Sequence, residues 1–134
     1  MPRLEKQANF APWIVMNGRE QYHPRLADLR NADASGVYAI SEQGTLEVLY
    51  VGESHTGRLY DTITRHFRRW KRDPKNSGGR RRGGTTYDRT RVLVCFTITP
   101  PSEAQDRQYE EIQRLQPRDN QVDGSTVVDP EIPI

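Results

Sequence analysis

The chain has 134 residues, the length of one small domain, and its 34% hydrophobic residues allow one modest core and exclude a second. No stretch approaches the roughly 18 consecutive apolar residues that a membrane-spanning helix needs, and residues 1–6 lack the apolar stretch of a signal peptide, so we expect a cytoplasmic protein. A single cysteine, Cys95, excludes an intramolecular disulfide and a cysteine-rich zinc site.

The formal net charge of +2 hides a strongly basic segment between residues 65 and 91. This segment has two acids and eleven basic residues, a local net charge of +9: Arg65, Arg68, Arg69, Lys71, Arg72, Lys75, Arg80, Arg81, Arg82, Arg89 and Arg91. Such a density indicates a surface that meets a polyanion, of which phosphate backbones are the commonest in cells. The alternative interpretation is a solubilising face. Residues 77–84, rich in glycine and arginine, predict a loop that contacts phosphates without reading bases.

The first predicted elements are a strand and a short helix. Residues 13–16 form an apolar run before Asn17-Gly18, which is typical of a strand entering a tight turn. Residues 24–31 predict a short helix that begins at a proline, and the spacing of Leu26 and Leu29 turns both towards the interior.

A hairpin, a helix and a third strand follow. Residues 36–40 and 47–51 are rich in β-branched and aromatic side chains and predict an antiparallel hairpin. After Gly57, apolar residues recur at spacings of three and four and predict an amphipathic helix that reaches about Lys71. The almost continuous apolar run at 91–99 predicts a strand that pairs with the hairpin.

The last predicted element is a helix that begins with Ser102 as its N-cap and ends at about Leu115, before Pro117. Cys95 lies within the apolar run of the third strand, where we interpret it as a small buried hydrophobic residue.

Two tripeptides in this order carry a family resemblance. Gly36-Val37-Tyr38 and Tyr50-Val51-Gly52 are separated by 11 residues and are followed by Arg65-His66-Phe67 and by an ending at residues 115–120 with the pattern Pro-x-x-Asn. Together these features resemble the GIY-YIG nuclease family over roughly residues 35–120.

The resemblance implies an α+β fold in which a small three-stranded antiparallel sheet is flanked by helices, here with an N-terminal strand and helix extension. We therefore expect residues 1–34 to pack on the core, residues 35–122 to form the nuclease-like domain, and residues 123–134 to be a tail. The implied activity is hydrolysis of DNA phosphodiester bonds with one divalent metal ion, Mg²⁺ or Mn²⁺.

The resemblance also implies roles for individual residues. Tyr38 would activate or position the attacking water, and Tyr50 would orient the site or the scissile phosphate. Gly52 would let the backbone approach a phosphate, because it has no Cβ. Arg58 would offset the charge that develops on the phosphate, with Arg65 as its substitute.

Two further residues match the family pattern: His66 on the helix after the second tripeptide, and Asn120 in the Pro-x-x-Asn ending. His66 would share a proton or bind phosphate, and the alternative is a helix histidine that packs beside Phe67. Asn120 would tie its loop to the site by side-chain hydrogen bonds.

The chain departs from the family at the metal ligand. The family has a glutamate on the final helix, twelve residues before the asparagine, where this chain has Gln108, whose neutral amide binds a hard cation more weakly. We expect Glu111, on nearly the same helix face, to substitute for it, and Glu53 is a further candidate at the end of a strand. The alternative is that these are solvated acids.

The expected partner is DNA, whether duplex, branched or single-stranded, and no membrane association is expected. We expect the protein to be a monomer or a weak homodimer. If it is prokaryotic, we expect it to be associated with the nucleoid. The expected contacts are Gly52, Arg65, Arg68, Arg69, Lys71, Arg80, Arg81 and Arg82. Two alternatives to a nuclease stay open. One is a DNA-binding module that lost hydrolysis at Gln108, and the other is a general RNA-binding or scaffold protein.

Overall fold

The structure is a computed structural model that describes residues 10–67 and 87–120. Its strands are β1 (Trp13–Met16), β2 (Arg19–Tyr22), β3 (Gly36–Glu42), β4 (Val48–Ser54) and β5 (Val92–Ile98). Its helices are α1 (Pro24–Ala27), α2 (Leu59–Thr64) and α3 (Pro101–Leu115), with single 3-10 turns at Arg65–Phe67 and Arg118–Asn120. Within these described ranges, no helix is long and apolar enough to cross a membrane.

Strands β1 and β2 form an antiparallel hairpin at the start of the described chain. Asn17 and Gly18 both have positive φ, 52° and 76°, as a type I′ turn requires when two residues join two antiparallel strands. The predicted strand and tight turn are therefore confirmed.

Helix α1 is shorter than the predicted helix over residues 24–31. Pro24 takes the first helical position, and the ring nitrogen Nδ1 of His23 accepts a hydrogen bond from the backbone N–H of Arg25. Leu26 and Leu29 are buried, as the spacing predicted, although Leu29 lies beyond the end of the helix.

A three-stranded antiparallel sheet forms the centre, with strand order β4-β3-β5, which confirms the predicted sheet. Tyr38 on β3 lies opposite Gly52 on β4 and Phe96 on β5, and Ile40 lies opposite Tyr50. Because directly paired residues point to the same face, this register puts the two tyrosines of the tripeptides on one side of the sheet.

The two faces of the sheet have different partners. The larger cluster joins Tyr38, Ile40 and Tyr50 to α1 and α2, and its buried members also include Phe10, Leu26, Leu29, Leu59, Ile63, Phe67, Tyr87, Val94 and Phe96. On the opposite face, Ile112 of α3 packs on the alternate residues Val37, Ala39 and Val51. Residues before position 35 thus contribute to the same core as the sheet.

Two predicted helix starts differ from the structure. Arg58 is the N-cap of α2 and not a residue of its first turn, and the helix gives way to a 3-10 turn at Arg65. Helix α3 begins at Pro101 after Pro100, so Ser102 is not the N-cap, because proline already fixes the backbone angle needed at the first helical position. The predicted continuation of α2 to Lys71 lies outside the described residues.

Candidate functional site

Three aromatic side chains meet on the α2 face of the sheet. The phenol oxygen of Tyr38 lies 2.7 Å from Nε2 of His66, and these atoms form a buried hydrogen bond. The Tyr50 ring lies 4.7 Å from the His66 ring and 6.2 Å from the Tyr38 ring, centroid to centroid. All three residues are at most 3% exposed. The structure therefore brings together Tyr38, Tyr50 and His66, which we call the ring cluster.

Local sequence explains how the ring cluster is built. A Cβ at Gly52 would lie 2.3 Å from the Tyr38 phenol oxygen, so the glycine provides the room in which that ring lies. His66 enters from the 3-10 turn after α2, and its carbonyl accepts a hydrogen bond from the Tyr87 backbone N–H at 2.8 Å. In this structure the phenol ring of Tyr38, on the neighbouring strand, occupies the space beside Gly52.

Burial governs the protonation of the two phenols. It raises the pKa of Tyr38 well above 10, and the neighbouring Tyr50 adds to that shift while the positive charge of Arg65 opposes it. Burial likewise raises the pKa of Tyr50, again opposed by Arg65. Both phenols are therefore neutral at physiological pH. The short hydrogen bond between Tyr38 and His66 is a path along which a proton can move from one side chain to the other.

The two candidate arginines have different positions. The Arg58 side chain is 66% exposed and its guanidinium pairs with Asp61 at 3.4 Å. Arg65 is partly buried, and its charge lowers the pKa of both Tyr38 and Tyr50. The arginine whose charge acts on both phenols is therefore Arg65, the predicted substitute, and not the preferred Arg58.

Sequence reasoning did not identify Tyr87 and Asp119. The phenol O–H of Tyr87 donates to Oδ2 of Asp119 at 2.6 Å, and the Tyr87 ring lies 5.8 Å from the His66 ring. Burial, followed by this hydrogen bond to the carboxylate, raises the pKa of Tyr87. Arg118 also binds Asp119. No periodic pattern surrounds Tyr87, so the sequence carried no signal for this pair beyond the proximity of Asp119 to Asn120.

The sheet separates Glu111 from the ring cluster. Glu111 is buried on α3 between the guanidinium groups of Arg107, at 3.3 Å, and Arg114. Burial raises the pKa of Cys95 to about 11, and the nearby charge of Glu111 adds to that shift. Cys95 pairs with Ala39 on the α3 face of the sheet. Because Tyr38 points to the opposite face, the structure does not bring Glu111 to the ring cluster.

The charge of Glu53, unlike that of Glu111, contributes to the pKa shifts of the ring cluster. Glu53 pairs with Val37 across the strands, so its Cβ leaves the sheet on the α3 face, yet its charge raises the pKa of both Tyr38 and Tyr50 as the smallest of the causes. Its carboxylate also contacts Nδ1 of His55 at 3.1 Å.

Gln108 and Asn120 hold the outer edge of β4. Asn120 accepts a hydrogen bond from the Val51 backbone N–H at 2.8 Å and donates to the Val51 carbonyl at 3.0 Å. Gln108 donates to the same carbonyl at 3.3 Å, while its own Oε1 is buried without a hydrogen-bond partner. Two side-chain amides therefore supply hydrogen bonds to the backbone of Val51. This residue lies on the edge of β4, where no further strand of the described chain pairs.

The donor set limits which metal ion fits. In the described part of the chain, no group of three or more His, Cys, Asp or Glu side chains could hold a metal ion. Mg²⁺ can be bound by one carboxylate when water and substrate phosphates supply its other ligands. Glu53, near the end of β4, offers one such carboxylate. The unpaired Oε1 of Gln108 is buried on α3, and no contact between described residues joins it to Glu53. The described residues thus supply one carboxylate, and water and phosphate would have to supply the other ligands of a Mg²⁺ or Mn²⁺ ion.

Most of the predicted basic contacts fall outside the described residues. These are Arg68, Arg69, Lys71, Arg80, Arg81 and Arg82, together with the glycine-rich and arginine-rich residues 77–84. Comparisons of this chain with protein-family models, curated proteins and solved structures found no match.

Proposed function

We propose that this protein is a DNA endonuclease of the GIY-YIG type, which hydrolyses a phosphodiester bond with the help of a divalent metal ion. The observation that carries the proposal is the hydrogen bond between Tyr38 and His66, with Tyr50 packed on the same imidazole. A phenol, an imidazole and the charge of Arg65 at one place are suited to proton transfer beside an anionic substrate.

The ring cluster would act as a proton relay. The Tyr38 phenol stays neutral because its pKa is raised, so it cannot act as a free phenolate base. It can accept the proton of an attacking water only while its own proton passes to Nε2 of His66, 2.7 Å away. As the water oxygen bonds to phosphorus, the bond from phosphorus to the departing oxygen of the DNA strand breaks, and that oxygen takes a proton from the imidazolium of His66.

Charge on the phosphate is balanced by Arg65 in this proposal. Its guanidinium offers fixed, forked donors that suit phosphate oxygens, and its positive charge already acts on both phenols. Glu53 would hold the metal ion through its carboxylate. When bound, Mg²⁺ supplies polarisation of a phosphate oxygen.

A cleavage assay tests the proposal. Purified protein is incubated with plasmid, single-stranded and branched DNA in Mg²⁺, Mn²⁺ or EDTA. We expect cutting in Mg²⁺ or Mn²⁺ and none in EDTA. Tyr38→Phe should slow cleavage by about 10²–10⁴-fold, because the relay loses its hydroxyl. Tyr109→Phe is the matched control, since Tyr109 is 45% exposed on α3.

The same assay decides between the arginines. Arg65→Ala should slow cleavage by about 10²–10³-fold, and Arg58→Ala by much less, because Arg58 pairs with Asp61 at the surface. Arg19→Ala, at an exposed site on β2, controls for the loss of one positive charge. Full activity of Tyr38→Phe, or equal activity of Arg65→Ala and the wild type, contradicts the proposed roles.

A second candidate function is a DNA-binding module without hydrolysis. It is favoured by Gln108, whose amide replaces the expected carboxylate and is used to cap Val51, and by the complete burial of Tyr38. This candidate predicts salt-sensitive DNA binding in the absence of cleavage, with the basic residues between positions 65 and 91 as the contacts. Cleavage by Gln108→Glu but not by the wild type would support it.

A further inference from the structure

A row of three aromatic rings lies between two arginines on the surface formed by the β1–β2 hairpin and α2. The rings of Trp13 and Tyr22 are 4.9 Å apart, and those of Tyr22 and Tyr60 are 6.0 Å apart, each pair edge to face. The guanidinium of Arg89 lies 4.1 Å from the Trp13 ring, and that of Arg30 lies 5.6 Å from the Tyr60 ring. We call Trp13, Tyr22 and Tyr60 the aromatic row.

The aromatic row lies beside the two ends of the basic segment. Arg89, which covers Trp13, also donates a hydrogen bond to the carbonyl of Phe67 at 3.2 Å. The backbone of Tyr87 bonds to His66, so the described residues on either side of positions 68–86 are held together here. The described end of the basic segment thus contacts the ring cluster through Tyr87 and the aromatic row through Arg89.

We infer that the aromatic row binds single-stranded DNA by stacking its bases. Aromatic rings with arginines at either end are suited to unpaired bases, because every base has a π-face and the arginines neutralise nearby phosphates. The three rings are only partly buried, whereas the core aromatic residues Tyr38 and Tyr50 are buried. Bases in a duplex are stacked on each other and offer no free face, so the row selects a single-stranded stretch.

This inference deepens the proposed function, from which it takes DNA as the ligand. It assigns to the aromatic row a preference for DNA that contains a single-stranded region, such as a flap or a branch. The competing explanation is that the row only holds the hairpin on the domain. In that case its removal would lower stability and leave the affinity for single strands unchanged.

Tryptophan fluorescence reports on the row directly. The chain has two tryptophans, so Trp70→Phe leaves Trp13 as the only one. Titration of this variant with single-stranded oligothymidylate should quench the Trp13 emission, whereas a duplex of the same length should quench it much less. Equal quenching by the duplex overturns the preference for single strands, and no quenching by either overturns the inference. This measurement needs no destabilising change at Trp13.

Affinity measurements on variants complete the test. Trp13→Ala should weaken oligothymidylate binding about 5- to 150-fold, and Trp13→Phe should keep most of the affinity because it still offers a ring face. Tyr109→Ala, on α3, should bind as the wild type does. Unchanged binding by Trp13→Ala overturns the inference.

Cleavage of plasmid DNA in Mg²⁺ is measured in parallel on the wild type and on Trp13→Ala. If the wild type binds oligothymidylate through Trp13 but cuts nothing, the proposed hydrolysis fails and the single-strand site stands. If it cuts but Trp13→Ala binds and cuts as the wild type does, the site fails and the hydrolysis stands.

Discussion

Gly52 and Tyr38 face each other on neighbouring strands, and the absence of a side chain at one makes room for the ring of the other. We predict that Gly52→Ala lowers the free energy of unfolding by about 1–3 kcal/mol, because the added methyl overlaps a buried phenol that cannot move without breaking its bond to His66. Urea unfolding measures this change.

Gly44→Ala is the matched control. Nothing lies within 4 Å of the Cβ that this change adds, so the unfolding midpoint should stay the same. An equal midpoint for Gly52→Ala and the wild type would show that the Tyr38 ring lies elsewhere.

At the scale of elements, α3 and the turn after it close the open edge of β4 through Gln108 and Asn120. We predict that Gln108→Glu destabilises the protein at neutral pH, since the change replaces an N–H donor facing the Val51 carbonyl with a buried carboxylate. Burial raises the pKa of the introduced carboxyl, so the stability should be greatest below its unfolded pKa of about 4.3 and fall as the pH rises.

The change is measured by thermal or urea unfolding between acidic and neutral pH. Gln113→Glu, on the exposed face of the same helix, should show no comparable pH dependence. A Gln108→Glu protein as stable as the wild type at neutral pH would mean that position 108 is open to solvent or to a cation, as the family glutamate would require.

At the scale of the whole molecule, folding collects three buried phenols from β3, β4 and the segment before β5. Burial is the first cause that raises the pKa of Tyr38, Tyr50 and Tyr87 above the ordinary value of about 10. Below that pH the phenols are protonated in both the folded and the unfolded chain. Above it the unfolded chain loses protons first, so the stability is lost as the pH rises.

We therefore predict that the free energy of unfolding falls above about pH 10, by about 1.4 kcal/mol per pH unit for each of the three phenols. Urea unfolding at a series of alkaline pH values, with tyrosinate absorbance followed in parallel, measures this. Tyr87→Phe should make the decline less steep and Tyr109→Phe should not, because Tyr109 is partly exposed. Ionisation of all tyrosines near pH 10 without loss of stability would contradict the buried cluster.

Much of the fold follows from short-range sequence patterns. The Asn17-Gly18 turn, the two strands of the tripeptides and the apolar run of β5 all have the residue types and periods that their backbones require. The alternation of side chains along a strand also explains why Tyr38 lies on the α2 face and Val37 on the α3 face.

The sequence by itself predicted β1, β3, β4, β5 and α3 to within a few residues, because those preferences depend on neighbours a few positions away. It did not predict β2 or the early end of α1. Tertiary structure alone decided that Arg65 and not Arg58 acts on the phenols, and that Glu111 lies across the sheet from them. The contact of Tyr38 with His66 joins residues 28 positions apart, and that of Gln108 with Val51 joins residues 57 apart. Such pairs form only when the sheet and helices pack, since packing sets which side chains of separate elements meet.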